Sequence, residues 1–265
     1  NTRMSTAELI SLIKQKKEFR DVDDSFVEKI MQQHLKAKNP NELSRDDTED
    51  IMKKTRASLR EVYSAFFASK FFQREKFLHL LKDINDIEAH IKILSLHLST
   101  KERLPYYEEV YQNIFAVTGN PDSILDLGCG LNPFSFPFMK LKDVRYYAVE
   151  LVKSDAEFIQ EYFNKFNING KAMQIDLTNV ESLPSADVCF MFKVIDTFEA
   201  IQWDVTAELL AKIKTKWVIA SFATKSLGGR KTIRADKRKW FEKLIATKQH
   251  SVFEIQNEIF YIIKQ

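Results

Sequence analysis

Three carboxylates, Asp126, Glu150 and Asp176, each close a short apolar run, and two glycines, Gly128 and Gly130, follow the first of them. An apolar run ending in an acid and a glycine pair reads as a buried parallel strand with a tight turn outside its carboxyl end. That crevice is where open α/β sheets bind nucleotide-like ligands. A dinucleotide fingerprint would carry a third glycine three residues after Gly130, where Pro133-Phe134 stand, and no Walker lysine follows. Glu150 lies about 20 residues past the glycines, the position from which a carboxylate accepts from ribose hydroxyls. The competing reading is a tight strand-to-helix turn with no ligand. Cys129 lies in the glycine turn and Cys189 in an apolar run, so neither fits a disulfide framework or a metal site.

These residues need a sheet to hold them. From Ser123 onward the pattern alternates strand and helix, which predicts a mostly parallel sheet. The predicted strands are Ser123–Leu127, Arg145–Glu150, Lys171–Ile175, Asp187–Phe192 and Lys216–Phe222, with Val252–Ile255 and Ile259–Ile263 as two last ones. A helix is predicted across Ala156–Phe166. Before Ser123 the chain reads as helices almost without glycine. Ser5-x-x-Glu8 has capping-box spacing ahead of Leu9, Ile10 and Ile13, and Phe26, Val27, Ile30, Met31 and Leu35 repeat the helical pattern up to Asn39-Pro40. A third helix is predicted from Ser44 through Phe66. A fourth, over Asp86–Leu98, would put Ile87, Ile91 and Leu94 on its inner side. A second capping signal, Ser99-x-x-Glu102, leads toward a helix over Tyr106–Phe115 that Gly119 should end. Arg103, in the first turn of that last helix, can hold a ligand carboxylate bidentately, or pair at the surface with Glu102 or Glu108. The phenylalanines Phe66, Phe67, Phe71, Phe72 and Phe77 read as core rather than as base-stacking platforms.

Composition bounds the partners. The chain has 265 residues, 45% of them hydrophobic, and a net charge of +3, too small by itself to indicate nucleic acid. The distribution of charge says more. Lys53, Lys54, Arg56 and Arg60 belong to a basic stretch opposed by little acid, and Lys225, Arg230, Lys231, Arg234, Lys237, Arg238 and Lys239 are answered only by Asp236. Each cluster is either a solvated surface or a phosphate-contacting one. Gly228-Gly229 leaves the second loop pliable enough to follow a ligand. No charged-then-apolar leader opens the chain, and no apolar run approaches a membrane span, so a soluble cytoplasmic protein without a membrane partner is expected.

Asp126-x-Gly128-x-Gly130 resembles the first motif of class I S-adenosylmethionine (SAM) methyltransferases. Further pieces resemble the aminoglycoside-resistance 16S rRNA methyltransferases, the Arm/Rmt/Sgm group, which methylate N7 of a guanine in the decoding A site. They are His97-Leu98-Ser99-Thr100-Lys101-Glu102-Arg103, Asp126 through Pro133, Met191-Phe192-Lys193, Ser221 through Arg230, Trp240-Phe241-Glu242 and Asn257-Glu258. They cover roughly residues 90–265, in family order. Leu131-Asn132-Pro133 and Thr224-Lys225-Ser226-Leu227-Gly228-Gly229-Arg230 are the selective parts. The chain departs from the family at Ala223, where proline is usual, and at Lys231–Asp236, where a Gly-Met segment is usual.

The resemblance implies an α/β fold: a Rossmann-like class I SAM methyltransferase sheet over residues 96–265, with an all-helical extension over 1–95 that docks on the small ribosomal subunit. It implies that Arg103 holds the SAM carboxylate and that Asp126, Gly128 and Gly130 line the methionine side. Glu150 takes the ribose hydroxyls, Asp176 with Leu177 the adenine, and Lys193 stands beside the methyl group. RNA phosphates would meet Lys53, Lys54, Arg56, Arg60, Lys225, Arg230, Lys231 and Arg234, in 16S rRNA within the 30S subunit. The enzyme is expected to be monomeric and metal-free and to confer aminoglycoside resistance. Guanine N7 carries an unprotonated lone pair, so no general base is named; Lys193 and Arg230 would align the base, pulled from its stack. The competing functions are methylation of another RNA position, such as N1 of a neighbouring decoding-site adenine, a small-metabolite methyltransferase, and a non-catalytic ribosome-binding factor.

Overall fold

The computed structural model describes residues 4–36, 39–202, 204–226, 229 and 231–265. The chain divides into two compact units, 1–66 with 152–154, and 67–151 with 155–265.

The first unit is helical. Helices α1 (Thr6–Ile13), α2 (Asp24–Leu35) and α3 (Arg45–Val62) are N-capped by Ser5, Asp23 and Ser44, and the Ser5–Glu8 capping box forms as its spacing predicts. Leu9, Ile10 and Ile13 from α1, Phe26, Val27, Ile30, Met31 and Leu35 from α2, and Ile51 and Leu59 from α3 are among its buried side chains. Helix α3 stops at Val62 rather than running to Phe66. Tyr63 leaves helical geometry at φ −127°, and a single tight turn, Ser64–Phe66, follows.

The second unit holds a seven-stranded sheet in the order β3-β2-β1-β4-β5-β7-β6. The strands are β1 (Ser123–Leu127), β2 (Arg145–Glu150), β3 (Gly170–Gln174), β4 (Ala186–Phe192), β5 (Thr215–Ala223), β6 (His250–Ile255) and β7 (Glu258–Lys264). The first five are parallel, and β7 runs antiparallel between β5 and β6. The predicted strands match these within a residue or two. Side chains alternate between two cores, one on each face: Val188, Phe190 and Phe192 of β4 point into one, Cys189 and Met191 into the other. Burial on both faces is why β4 reads as a continuous apolar run. Each such large side chain contributes about 1.5–3 kcal/mol.

Around the sheet lie α4 (Arg74–Leu80), α5 (Ile87–Leu94), α6 (Leu98–Arg103), α7 (Tyr107–Thr118), α8 (Phe136–Met139), α9 (Lys153–Lys165), α10 (Ile195–Ile201), α11 (Val205–Lys212) and α12 (Lys239–Leu244). Gly119 ends α7 at φ +74°. Three expectations fail here. Helix α5 stops at Leu94, and it buries His90, Ile93 and Leu94 while Ile87 and Ile91 stay 39% exposed. The inner face is turned because His90 Nε2 lies 3.0 Å from the buried Tyr162 hydroxyl. Ser99 does not cap a helix: α6 starts at Leu98, and Thr100 Oγ1 donates to the carbonyls of Leu94 and His97. Arg103 therefore ends α6 instead of opening α7. Phe71 is core and Phe67 packs against it, whereas Phe72 is partly exposed.

Candidate active site

The turn after β1 works because of its glycines. Gly128 and Gly130 adopt φ +59° and +54°, and a Cβ on Gly128 would meet Val194 Cγ2 at 2.5 Å. One on Gly130 would press the His97 ring at 3.3 Å. Any side chain would therefore combine left-handed strain with a steric conflict. Before the turn, Asp126 is buried. Its Oδ2 accepts from Asn132 Nδ2 at 2.9 Å and from the Tyr146 hydroxyl at 2.6 Å, while Oδ1 has no hydrogen-bond partner among the described residues. Burial raises the Asp126 carboxyl to about 6, against the hydrogen bonds from Tyr146 and Asn132 and the charge of Arg103. A buried oxygen left without a donor calls for one from a ligand.

Glu150, the last residue of β2, faces the same turn. One carboxylate oxygen accepts from the Gly130 N–H, and the other from the Leu151 N–H at 3.2 Å. Burial, followed by the charge of Asp155, raises Glu150 to about 7, and the two backbone hydrogen bonds offset part of that. Asp176 lies just past β3, which ends at Gln174, and accepts from the Thr178 N–H at 2.9 Å and its hydroxyl at 2.6 Å. It thereby caps the turn Leu177–Asn179, in which Leu177 is buried. The three acids thus stand at the carboxyl ends of three adjacent strands.

Arg103 pairs with neither Glu102 nor Glu108. It is buried and forks onto Glu258 at the start of β7, with Nε donating to Oε2 at 3.1 Å and Nη2 to Oε1 at 2.7 Å. Its Nη1 makes long contacts of 3.4 Å to the Tyr107 hydroxyl and Asn132 Oδ1. A bidentate grip on a ligand carboxylate is therefore not open to Arg103 in this arrangement; Nη1 is the group left facing the glycine turn through Asn132. Glu258 also accepts from Ser221 Oγ at 2.5 Å and lies 3.4 Å from Lys193 Nζ, which sits 2.9 Å from Glu102. Burial opposes ionisation of Glu258, but the Arg103 and Lys193 cations outweigh it and hold the carboxyl below its ordinary value. His97 is driven down to about 3, first by burial and then by Arg103 and Lys193, and so stays neutral. Lys193 follows β4 at φ +55°, its N–H donating to Ser221 Oγ at 3.0 Å. A cavity of about 250 Å³ opens beside this cluster, lined among others by Glu102, Arg103, Tyr106, Lys193, Asn257 and Glu258. Glu258, Ser221 and Asn132 entered the sequence reading only inside the family-like pieces, with no role assigned, and Tyr146 only as part of a predicted strand.

The basic residues divide. Lys53, Lys54 and Arg60 are exposed; Lys54 pairs with Asp50 at 2.6 Å and Arg60 with Glu18 at 3.3 Å. Arg56 turns inward instead and donates to the Leu12 and Ile13 carbonyls at the end of α1, so its guanidinium caps a helix. In the loop after β5, Lys225 and Thr232 form an antiparallel bridge, and Lys225, Lys231 and Arg234 are exposed. Arg234 pairs with Asp236 at 2.9 Å. Arg238 is buried and leaves the expected basic surface, and Arg230 lies outside the described residues.

A sheet in this order, with β7 antiparallel, a glycine turn after β1 and acids closing β1 and β2, defines a class I SAM-dependent methyltransferase. A solved structure of the 16S rRNA methyltransferase RmtF in complex with S-adenosyl-L-homocysteine has the same fold, with a TM-score of 0.84 at 24% identity over 100% of this chain and 99% of that one. The chain belongs to the ribosomal RNA methyltransferase (FmrO) family, whose model matches residues 15–262. Among its relatives, a 16S rRNA (guanine(1405)-N(7))-methyltransferase of Frankia casuarinae is 30% identical over 84% of this chain and 82% of its own length. One of the same name from Proteus mirabilis is 32% identical, over 68% of this chain and 70% of its own.

Proposed function

We propose that this chain transfers the SAM methyl group to N7 of a guanine in the decoding A site of 16S rRNA, within the 30S subunit, and so confers aminoglycoside resistance. The observation that carries the reading is the family match across residues 15–262, with relatives named as guanine-N7 methyltransferases over most of the chain. The site fits the cofactor: Asp126 Oδ1 is a buried acceptor without a donor, and Gly128 and Gly130 leave backbone where side chains would stand. SAM, when bound, supplies an electrophilic methyl on a sulfonium.

In this reading Asp126 Oδ1 accepts from the ammonium of the methionine portion, and Arg103 offers Nη1 to its carboxylate while Glu258 fixes the rest of the guanidinium. Glu150 accepts from the ribose hydroxyls, and Asp176 with Leu177 holds the adenine. Lys193 stands at the end of β4, toward the base. Because N7 is a free lone pair, the chain's task is alignment and no side chain takes a proton. The helical segment up to about residue 95 docks on the subunit. Lys53, Lys54 and Arg60 there, and Lys225, Lys231 and Arg234 in the loop after β5, contact phosphates; Arg230, outside the described residues, is assigned the same role from the sequence alone. The enzyme works as a cytoplasmic monomer; no described helix is long and apolar enough to cross a membrane.

The test is primer extension on 16S rRNA from cells expressing the protein, with and without aniline cleavage specific for N7-methylguanine. Cleavage at one decoding-site guanine is expected. A stop without aniline dependence at a neighbouring adenine would assign N1 methylation instead, and an unmodified 16S rRNA would leave the fold without this activity.

A further inference from the structure

Guanine and adenine both carry an N7, so selecting the base requires reading its neighbouring atoms. Going round the ring from N7, guanine presents the O6 acceptor and then the N1–H and exocyclic N2–H donors. Adenine presents an N6–H donor and then the N1 acceptor. A protein group that favours guanine must therefore offer a donor next to the reacting nitrogen and an acceptor beyond it.

Lys193 and Glu102 present that order. Lys193 follows β4, beside the proposed methyl position, and its ammonium lies 2.9 Å from Glu102 Oε2. Both line the cavity of about 250 Å³, which is smaller than drug-sized pockets (roughly 300–1,000 Å³) and suits a single ring system. Tyr106, Gln256, Asn257 and Phe260 also line the cavity. An aromatic wall with amides is what holds an extruded base. The Lys193 side chain is 6% exposed and that of Glu102 25%, so the ammonium is the deeper of the two and the carboxylate the nearer to solvent. Glu258, 3.4 Å from Lys193, is a second counter-charge, so Lys193 stays paired while it faces a ligand.

We infer that the Lys193–Glu102 pair is the reader of guanine in this cavity, with the ammonium donating to O6 and the carboxylate accepting from N1–H and N2–H. The inference rests on the guanine-N7 reading above and adds the residues that enforce it. Adenine in the same pose meets two mismatches, ammonium against N6–H and carboxylate against the N1 lone pair. Sites that hydrogen-bond one ligand reject its mismatched analogue by large factors, because buried groups are left unpaired.

The test uses 30S subunits reconstituted with guanine, inosine, 2-aminopurine or adenine at the target position. Single-turnover methyl incorporation is measured at saturating subunits, and S-adenosylhomocysteine affinity by calorimetry. Wild-type transfer to guanine subunits reports on the guanine-N7 activity by itself. The ratio of variant to wild type reports on the Lys193–Glu102 pair. Wild type should accept guanine, retain inosine at a reduced rate through O6 and N1–H, and reject 2-aminopurine and adenine. Glu102→Gln, which replaces one of the two acceptor oxygens by a donor, should slow transfer to guanine by about ten-fold or more with S-adenosylhomocysteine affinity held within about two-fold, and Glu102→Asp, which keeps both carboxylate oxygens, should recover part of the rate. Equal rates for Glu102→Gln and wild type on guanine would overturn the assignment. So would rates on 2-aminopurine equal to those on guanine, or a parallel loss of cofactor affinity.

Discussion

Cofactor binding should be gated by the ionisation of Glu150. Its carboxyl titrates at about 7 in the ligand-free chain because it is buried and faces Asp155. In the proposed ribose role Glu150 accepts from hydroxyls, so the ionised carboxylate is the expected binding form. A group titrating near 7 is about nine-tenths ionised one unit above that value and about one-tenth ionised one unit below it, so the population competent to bind changes by roughly ten-fold between pH 8 and pH 6. That is about 1.4 kcal/mol of apparent affinity. Isothermal titration of S-adenosylhomocysteine at pH 6, 7 and 8, in two buffers of different ionisation enthalpy, measures both the affinity and the protons exchanged. Binding near pH 7 should release about half a proton, and affinity should plateau above pH 8. Below pH 6 the loss should steepen, since Asp126 titrates at about 6. Glu150→Gln should bind more weakly at pH 8, by about 1–3 kcal/mol, and lose most of the slope above pH 6. A flat affinity between pH 6 and pH 8 with no proton release would rule out Glu150 as the gate.

The same group bears on stability. Its folded value lies above the ordinary 4.5, so the folded chain keeps a proton that the unfolded chain has released, and ligand-free stability should fall as pH rises from about 4.5 to 7. Thermal melts should show that part of the decline missing in Glu150→Gln. Removing Glu258 leaves Arg103 and Lys193 buried with one counter-charge fewer, and Glu258→Ala should lose about 3–5 kcal/mol in denaturant unfolding, where an exposed pair would lose under about 1 kcal/mol. Reversing Lys53 and Arg60 to glutamate should weaken 30S binding and flatten its salt dependence by about one unit for each phosphate no longer neutralised, with S-adenosylhomocysteine affinity unchanged. Arg56→Ala should instead lower stability by about 1–3 kcal/mol, because it uncaps the end of α1.

The sheet was legible because strands buried on both faces leave uninterrupted apolar runs, and because glycines and acids punctuate their ends. Asp126, Glu150 and Asp176 could be placed in that way without knowing what they touch. Partners were another matter. Arg103 has two acids within easy reach along its own segment and uses neither, since a buried arginine takes the counter-charge that folding brings to it, here from a strand 155 residues away. Nothing in local spacing reports such a pairing. The misplaced face of α5 has a similar origin. Ile87, Ile91 and Leu94 form a good stripe, but a histidine with a buried tyrosine partner turned the helix. Arg56 and Arg238 show the limit of reading charge runs, because long basic side chains can point inward without any change in the pattern.

The long span of the Arg103–Glu258 pair carries a kinetic consequence. Closing a loop of 155 residues has an entropic penalty of about 4–5 kcal/mol on a logarithmic scaling, so the pair is expected to form after the strands that lie between its two ends. Glu258 starts the strand that is zipped against β5, so until that antiparallel pairing forms Arg103 and Lys193 are solvated cations with no shared anion. If Arg103 holds the cofactor's charged end as proposed, that competence is expected to arrive late on the route to the native state. In a refolding experiment, the return of ligand binding should track the slowest phase of sheet formation, well after the helices have regained their signal.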